Sequence, residues 1–199
     1  MKSFNNMSDY NFLTAKITLL GEFFCNHYFR TLRIIKKNLG IKKLDTLLDI
    51  GGGNGKVAKM IREETKAKII VVEPSSAMIR ILRKRNLNFI KAYAEKLPLA
   101  SNFADFAIFV QTLHHIPFIE PAIKEVHRVL KNGGKIYIQE LSEFPSFFQK
   151  IANNIEDSFI SQIYYHSFEE IKKTLHKYNF NVNTLSGERG MNFIAQKIK

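Results

Sequence analysis

Two acids, a run of glycines and a pair of histidines are the residues here whose types and spacing suit chemistry. Asp49 stands two residues before Gly51 in Leu47-Leu48-Asp49-Ile50-Gly51-Gly52-Gly53-Asn54-Gly55-Lys56-Val57-Ala58. Glu73 closes the apolar run Ile69 to Val72 about one helix later. Glycine at Gly51 and Gly53 lets the backbone bend sharply and approach a ligand, because no Cβ stands in the way. Amides at the start of a following helix lack intrahelical partners and favour polar or anionic groups. An ionised acid at the end of the second strand accepts two hydroxyl hydrogen bonds, which suits a ribose diol. The layout predicts a nucleotide site in a βαβ unit. His114 and His115 lie in Gln111-Thr112-Leu113-His114-His115-Ile116-Pro117 after a fourth strand, where doubly wound folds bind their ligands. They are the candidate proton-handling groups, with a capping or packing role as the plainer alternative.

The elements that must position these residues follow from the apolar pattern. Residues 8 to 38 read as helix with a break near Gly21, since Phe12, Ile17, Leu20, Phe24, Tyr28, Leu32 and Ile35 recur on one face. Gly40 is a C-cap candidate. Strands are predicted at Thr46 to Ile50, Lys68 to Val72, Leu87 to Lys91, Ala104 to Val110 and Lys135 to Leu141. Ala104 to Val110 is almost wholly apolar, as a central parallel strand buried on both faces should be. Helices are predicted at Asn54 to Thr65, from Ser75 or Ser76 to about Arg85, at Glu120 to Leu130, at Pro145 to about Phe159 and at Ser167 to Tyr178. Lys131-Asn132-Gly133-Gly134 reads as a turn. Asn181 to Leu185 and Met191 to Lys197, joined by a glycine-bounded connection, predict an antiparallel hairpin.

Composition narrows the class. A chain of 199 residues with 45% hydrophobic residues supports one domain with a substantial core. No apolar stretch approaches the ~20 residues needed to cross a bilayer. Met1 to Tyr10 is polar and unlike a secretory leader. Cys25 is the single cysteine, so no intramolecular disulfide forms, and its apolar surroundings predict burial. A cytoplasmic protein without membrane insertion is expected. The net charge of +12 gathers in Arg30, Arg33, Lys36, Lys37, Lys42 and Lys43, and in Arg80, Arg83, Lys84 and Arg85. Such a surface attracts nucleic acid, but charge alone specifies no partner, and a solvated face is the preferred reading.

The glycine run fits two fingerprints. Gly53-Asn54-Gly55-Lys56-Val57-Ala58 matches the G-x-G-x-x-A pattern of NAD sites. Asp49 through Gly55, as D-x-G-x-G-x-G, resembles the first motif of class I S-adenosylmethionine-dependent methyltransferases. Three further segments carry the same resemblance. Glu73-Pro74-Ser75 with Met78 resembles the family's second motif. Ala94-Glu95-Lys96-Leu97-Pro98-Leu99 resembles its loop after strand three, and Val129-Leu130-Lys131-Asn132-Gly133-Gly134-Lys135 its turn before strand five. Four motifs in order over roughly residues 44 to 198 favour S-adenosylmethionine over NAD.

The resemblance implies a doubly wound α/β fold. Its seven-stranded sheet is mostly parallel and ends in an antiparallel hairpin, with N-terminal helices as a lid. It implies a single domain over residues 1–199: a helical lid at 1–43, a cofactor-binding βα core at 44–141, and a helical insert with the hairpin at 142–199. It implies that Gly51 and Gly53 meet the methionine part of S-adenosylmethionine and Asp49 its ammonium, and that Glu73 binds the ribose. Pro74, Met78, Ala94 and Glu95 belong to the base end, and Val110 and Gln111 line the pocket near the sulfonium. Tyr93 stands where the family carries an aspartate that accepts from the adenine amino group. Its hydroxyl can accept instead, or its ring can stack.

Methyl transfer to a small molecule by in-line displacement is the expected function, with S-adenosylhomocysteine as product. His115 and His114 are the candidate bases, and Tyr10, Tyr164, Tyr165 and His166 the candidate substrate contacts, from the aromatic segments on either side of the core. No metal site is expected, since adjacent histidines lack ligand spacing. One alternative is an RNA methyltransferase using the basic surface, although Val110-Gln111-Thr112 departs from the N/D-P-P-Y motif of base-amino methylation. Another is a non-catalytic cofactor-binding module. The oligomeric state is not legible.

Overall fold

The computed structural model describes residues 27–140, 164–185 and 191–198. Tyr10, Cys25, the helical pattern before Gly21 and the helix expected from Pro145 lie outside the described residues. In chain order the elements are α1 (His27–Leu39), β1 (Thr46–Ile50), α2 (Lys56–Thr65), β2 (Lys68–Val72), α3 (Ser76–Lys84), β3 (Asn88–Ile90) and β4 (Ala104–Val110). A 3₁₀ turn at Leu113–His115 leads into α4 (Ile119–Val129), β5 (Leu130–Glu140), α5 (Phe168–Lys177), β6 (Phe180–Thr184) and β7 (Met191–Lys197). The sheet runs in the order β3-β2-β1-β4-β5-β7-β6. Strands β1 to β5 pair in parallel, while β7 pairs antiparallel with both β5 and β6. Gly40, at a φ of +67°, ends α1.

Successive residues of the central strands enter opposite layers, as the two-residue period of a strand demands. Leu47, Ile69, Val71, Ile108 and Tyr137 pack with Ile35, Leu39, Ile61 and Leu82 of α1 to α3. Leu48, Ile50, Ile70, Phe109, Ile136 and Ile138 pack with Ile123, Val126, Ile171 and Leu175 of α4 and α5. Both faces of the sheet are therefore covered, which is why the strands read as nearly unbroken apolar runs.

The expected turn at Lys131–Gly134 is absorbed into β5. Leu130 already pairs with Ala104, and Lys135 pairs with Phe106, so the four residues between bulge out opposite Asp105 alone. Asp105 organises the irregularity: its carboxylate accepts from the Thr46 amide at 2.9 Å and from Lys131 Nζ at 2.7 Å. Gly134 has no room for a side chain, since a Cβ would lie 3.0 Å from the Asp105 carbonyl oxygen. The other described boundaries match or shift by at most two residues. The first helix after the glycines begins at Lys56 rather than Asn54, because Gly53 and Gly55 hold left-handed φ angles of +54° and +76°.

Lys197 locks the last strand to the parallel sheet. Its buried ammonium donates to the carbonyls of Leu130 at 2.7 Å and His127 at 2.8 Å, and more weakly to Asn102 Oδ1 at 3.4 Å. It closes the C-terminal end of α4, where carbonyls lack intrahelical partners and a cation is favoured. Desolvation pulls its pKa down, and these three acceptors keep the charge tolerable. Lys197→Met leaves two backbone carbonyls unsatisfied, and urea denaturation should record a loss of about 1–3 kcal/mol.

Candidate active site

The carboxyl ends of β1, β2 and β4 surround a cavity of about 300 Å³. All eleven residues expected on the cofactor side line it: Asp49, Gly51, Gly53, Glu73, Pro74, Met78, Tyr93, Ala94, Glu95, Val110 and Gln111. Strand topology explains the convergence, because parallel strands deliver their following loops to one edge of the sheet.

Asp49 is 1% exposed, between β2 and β4 in the register. The Ala58 amide of α2 donates to it, and its Oδ2 has no protein hydrogen-bond partner. Burial, aided by the nearby Glu73 charge, pushes its pKa up to about 7. Gly52 leaves the space that this carboxyl fills, since a Cβ there would lie 2.6 Å from Oδ2. The two glycines singled out by the motif do different work. Gly51, at φ +64°, lies against Thr112, whose methyl a Cβ would overlap. Gly53, at φ +54°, faces open space, so it is the point where the backbone itself is presented to a ligand.

Glu73 is buried rather than paired with Arg80 or Lys68 at the surface. Its Oε2 accepts from the Gly53 amide at 2.9 Å and its Oε1 from the Ser75 amide at 2.8 Å. Burial raises its pKa, and these two amides oppose the rise. One carboxylate thus fastens the glycine loop to the start of α3, where Ser75 caps the helix by accepting from the Met78 amide at 3.4 Å. Met78 is buried beneath the cavity. Tyr93 is 42% exposed at its mouth. Glu95, half-buried beside it, has its pKa raised by desolvation.

The loop after β4 hangs on a carboxylate that the sequence reading missed. Glu140, the last residue of β5, is buried, and its Oε1 accepts from the amides of Thr112 and Leu113, each at 2.6 Å. Its Oε2 lies 2.8 Å from His114 Nδ1. Like Asp49 and Glu73, it is an acid ending an apolar strand, and that signature was available. Gln111 takes a left-handed φ of +56° and donates its amide to the Gln139 carbonyl at 2.8 Å. The two histidines therefore separate. His114 turns to Glu140 and does not line the cavity, whereas His115 does. Burial, with the adjacent His114, pulls the His115 pKa down to about 3.

Of the expected substrate contacts, Tyr164, Tyr165 and His166 lie away from the cavity wall. Tyr164 donates its backbone amide to the His114 carbonyl at 2.8 Å, and Tyr165 is 71% exposed. His166 is buried, with Nε2 2.7 Å from the Ile116 carbonyl and Nδ1 3.2 Å from Glu170 Oε1. None of the three lines the cavity; Tyr164 and His166 brace the loop that carries the histidines. Lining residues that the sequence reading did not single out include Tyr28 of α1, Lys56, Thr112 and Ile116. Among the described residues, no three His, Cys, Asp or Glu side chains cluster as a metal site.

The raised Asp49 pKa has a sign that can be measured. Between its ordinary 3.8 and about 7, Asp49 is ionised in the unfolded chain but protonated in the folded one. The stability it contributes is complete below about pH 3.8 and is lost as pH rises through about 7. Asp49→Asn should remove that decline, so the difference in stability between variant and parent should move in the variant's favour from pH 4 to pH 7 in denaturant titrations without ligand.

The comparisons agree with this geometry. A family model for a methyltransferase domain matches residues 48–138. The ubiquinone/menaquinone biosynthesis C-methyltransferase of Rhizobium meliloti is 36% identical over 107 residues, which are 49% of this chain and 42% of that protein. The chain thus spans less than half the length of the curated relatives it matches. A Thermotoga maritima S-adenosylmethionine-dependent methyltransferase structure is 29% identical, with a TM-score of 0.70, covering 92% of this chain and 96% of its own. The CurJ carbon methyltransferase, 17% identical with a TM-score of 0.74, shares the fold over 94% of this chain and 60% of its own. S-adenosylmethionine fits what the cavity offers: an orphaned buried carboxylate oxygen for an ammonium, a side-chain-free approach at Gly53, and an acid at the end of β2 for a diol. The motifs, the 3-2-1-4-5-7-6 sheet and these relatives together make the chain similar to class I S-adenosylmethionine-dependent methyltransferases.

Proposed function

We propose that this protein methylates a small-molecule acceptor with S-adenosylmethionine as donor. The observation that carries the reading is the composition of the cavity wall. Of the two basic groups on the surface, the one before the glycine loop and the one on α3, no member lines the cavity. Several are engaged elsewhere: Lys36 with Glu64 at 2.6 Å, Arg83 over the Phe89 ring, and Arg85 with the Asn54 carbonyl at 3.0 Å. A nucleic-acid footprint would lead basic side chains into the reaction site. A mostly apolar wall with a few convergent polar groups is instead what small ligands use.

In this reading Asp49, Gly51 and Gly53 hold the amino-acid end, Glu73 holds the ribose, and Pro74, Met78, Tyr93, Ala94 and Glu95 enclose the base. The bound donor supplies a methyl already activated on a sulfonium. The protein's part is to align the acceptor behind that methyl and keep water out. Val110, Gln111, Thr112, His115 and Ile116 form the wall where the acceptor would lie. His115, neutral across the physiological range, acts there as a hydrogen-bond partner that orients the acceptor. It is too weak a base to take up a proton near neutrality.

Calorimetry with S-adenosylmethionine tests the donor site; failure to bind sinks the proposal. Glu73→Ala should weaken binding roughly 10- to 100-fold, since it removes charge-assisted hydrogen bonds to both loop and ribose. Release of S-adenosylhomocysteine, followed over a panel of acceptors, tests transfer. The panel starts with ubiquinone and menaquinone precursors, because the relatives named for that pathway are C-methyltransferases. With an acceptor found, His115→Asn should keep most of kcat, His115→Ala should lose about tenfold or more, and neither should shift an ionisation near the ordinary histidine value of 6.5.

A further inference from the structure

The outward face of α1 is cationic and carries a bare aromatic ring. Thr31, Ile34, Ile35 and Leu39 are buried, so Phe29, Arg33, Lys36 and Lys37, spaced three and four residues apart, point the other way. Phe29 is 69% exposed, and α1 contains no acid. Lys36 is paired with Glu64 of α2 at 2.6 Å. Among the described residues, Arg33, Lys37, Lys42 and Lys43 form no ion pair. The connection to β1 continues the pattern. The Asp45 amide donates to the Lys42 carbonyl at 3.1 Å, and Asp45 Oδ2 accepts from the Lys42 amide at 2.6 Å. This doubly tied turn holds Leu44 outward beside the exposed Lys42 and Lys43. At 93%, Leu44 is the most exposed large apolar side chain among the described residues. One bare apolar side chain is ordinary on a protein surface. Two of them set among cations, on one helix and the turn that follows it, match a partner that is anionic outside and apolar beneath.

We infer that the outward face of α1 and the turn at Lys42, Lys43 and Leu44 dock on an anionic lipid bilayer. Phosphate headgroups attract the cations, while Phe29 and Leu44 enter the boundary between headgroups and acyl chains. Nucleic acid answers the cations equally well, but a duplex backbone gives Leu44 nothing apolar to enter. The contact is adsorption rather than insertion, since no described helix is long and apolar enough to cross a membrane. Tyr28, next to Phe29, lines the cavity, so adsorption brings one wall of the cavity to the lipid surface. The inference does not depend on which donor the cavity takes. It gives the basic residues before the glycine loop a role away from the cavity, whose wall includes none of them.

The test is sedimentation of the full chain with vesicles of phosphatidylcholine, either alone or with roughly 30% phosphatidylserine. Binding should require phosphatidylserine and weaken as salt rises. Arg33→Gln, Lys37→Gln, Lys42→Gln and Lys43→Gln should each weaken it roughly fivefold. Phe29→Ser and Leu44→Ser should each weaken it about tenfold. Thermal unfolding of these variants should match the parent, because the altered side chains are exposed. Arg80→Gln combined with Lys84→Gln, on the exposed side of α3, removes as much charge as Lys42→Gln with Lys43→Gln and should leave binding in place. Absence of binding to the mixed vesicles at low salt overturns the inference. Equal loss from the α3 pair also overturns it, since net charge would then suffice, and so does binding that Phe29→Ser and Leu44→Ser leave intact. Retardation of a short RNA duplex that Lys42→Gln abolishes, without vesicle binding, assigns the surface to nucleic acid instead.

Discussion

Three buried carboxylates at one edge of the sheet hold the loops that make the cavity. Asp49 takes the Ala58 amide, Glu73 takes those of Gly53 and Ser75, and Glu140 takes those of Thr112 and Leu113. Each lies at or beside the carboxyl end of a parallel strand, and each reaches across to backbone that no neighbouring strand can satisfy. Loops leaving a parallel sheet carry amides that must find partners if they are buried. A carboxyl group is a suitable solution, because it offers two acceptor oxygens on one side chain. Remove any one of the three and a wall of the cavity loses its anchor.

The arrangement has a price in electrostatics, and Asp49 carries most of it. Its burial and the proximity of Glu73 disfavour the charged form. Glu73 and Glu140 are compensated by two or more donors each, whereas Asp49 keeps an oxygen without a protein partner. A buried acceptor left open is costly to a folded chain. It is also what a cationic ligand group needs, since binding then supplies the missing partner. The same logic separates the histidines: His114 is held by Glu140, and His115, pressed by burial and by its neighbour, stays neutral where it meets the cavity.

The strands and helices were legible because their periods are local. The alternation of Leu47, Leu48 and Ile50 between the two layers, and the caps Ser75 and Ser167, follow from neighbours in the chain. The segments that line the cavity were legible for a related reason: their geometry is set locally by glycine, by strand ends and by helix starts. Lys131–Gly134 shows the limit. The glycines are there, but whether they turn the chain or bulge within a strand depends on Asp105 of a different strand.

What surrounds the loop after β4 is non-local. His166 reads as a candidate substrate contact, yet it is held by the Ile116 carbonyl, fifty residues away. Glu140 and His114 meet only when β5 and β4 lie side by side, and Tyr28 meets Lys56 only when α1 packs on α2. By itself the sequence determined the layered α/β fold, the glycine loop and the acids at the ends of β1 and β2, because these depend on contacts within a turn or a strand. Tertiary structure alone decided which histidine faces the cavity, which carboxylate holds the loop above it and which cation lines it. Those outcomes depend on side chains far apart in the chain, where burial and charge act only after the sheet has assembled.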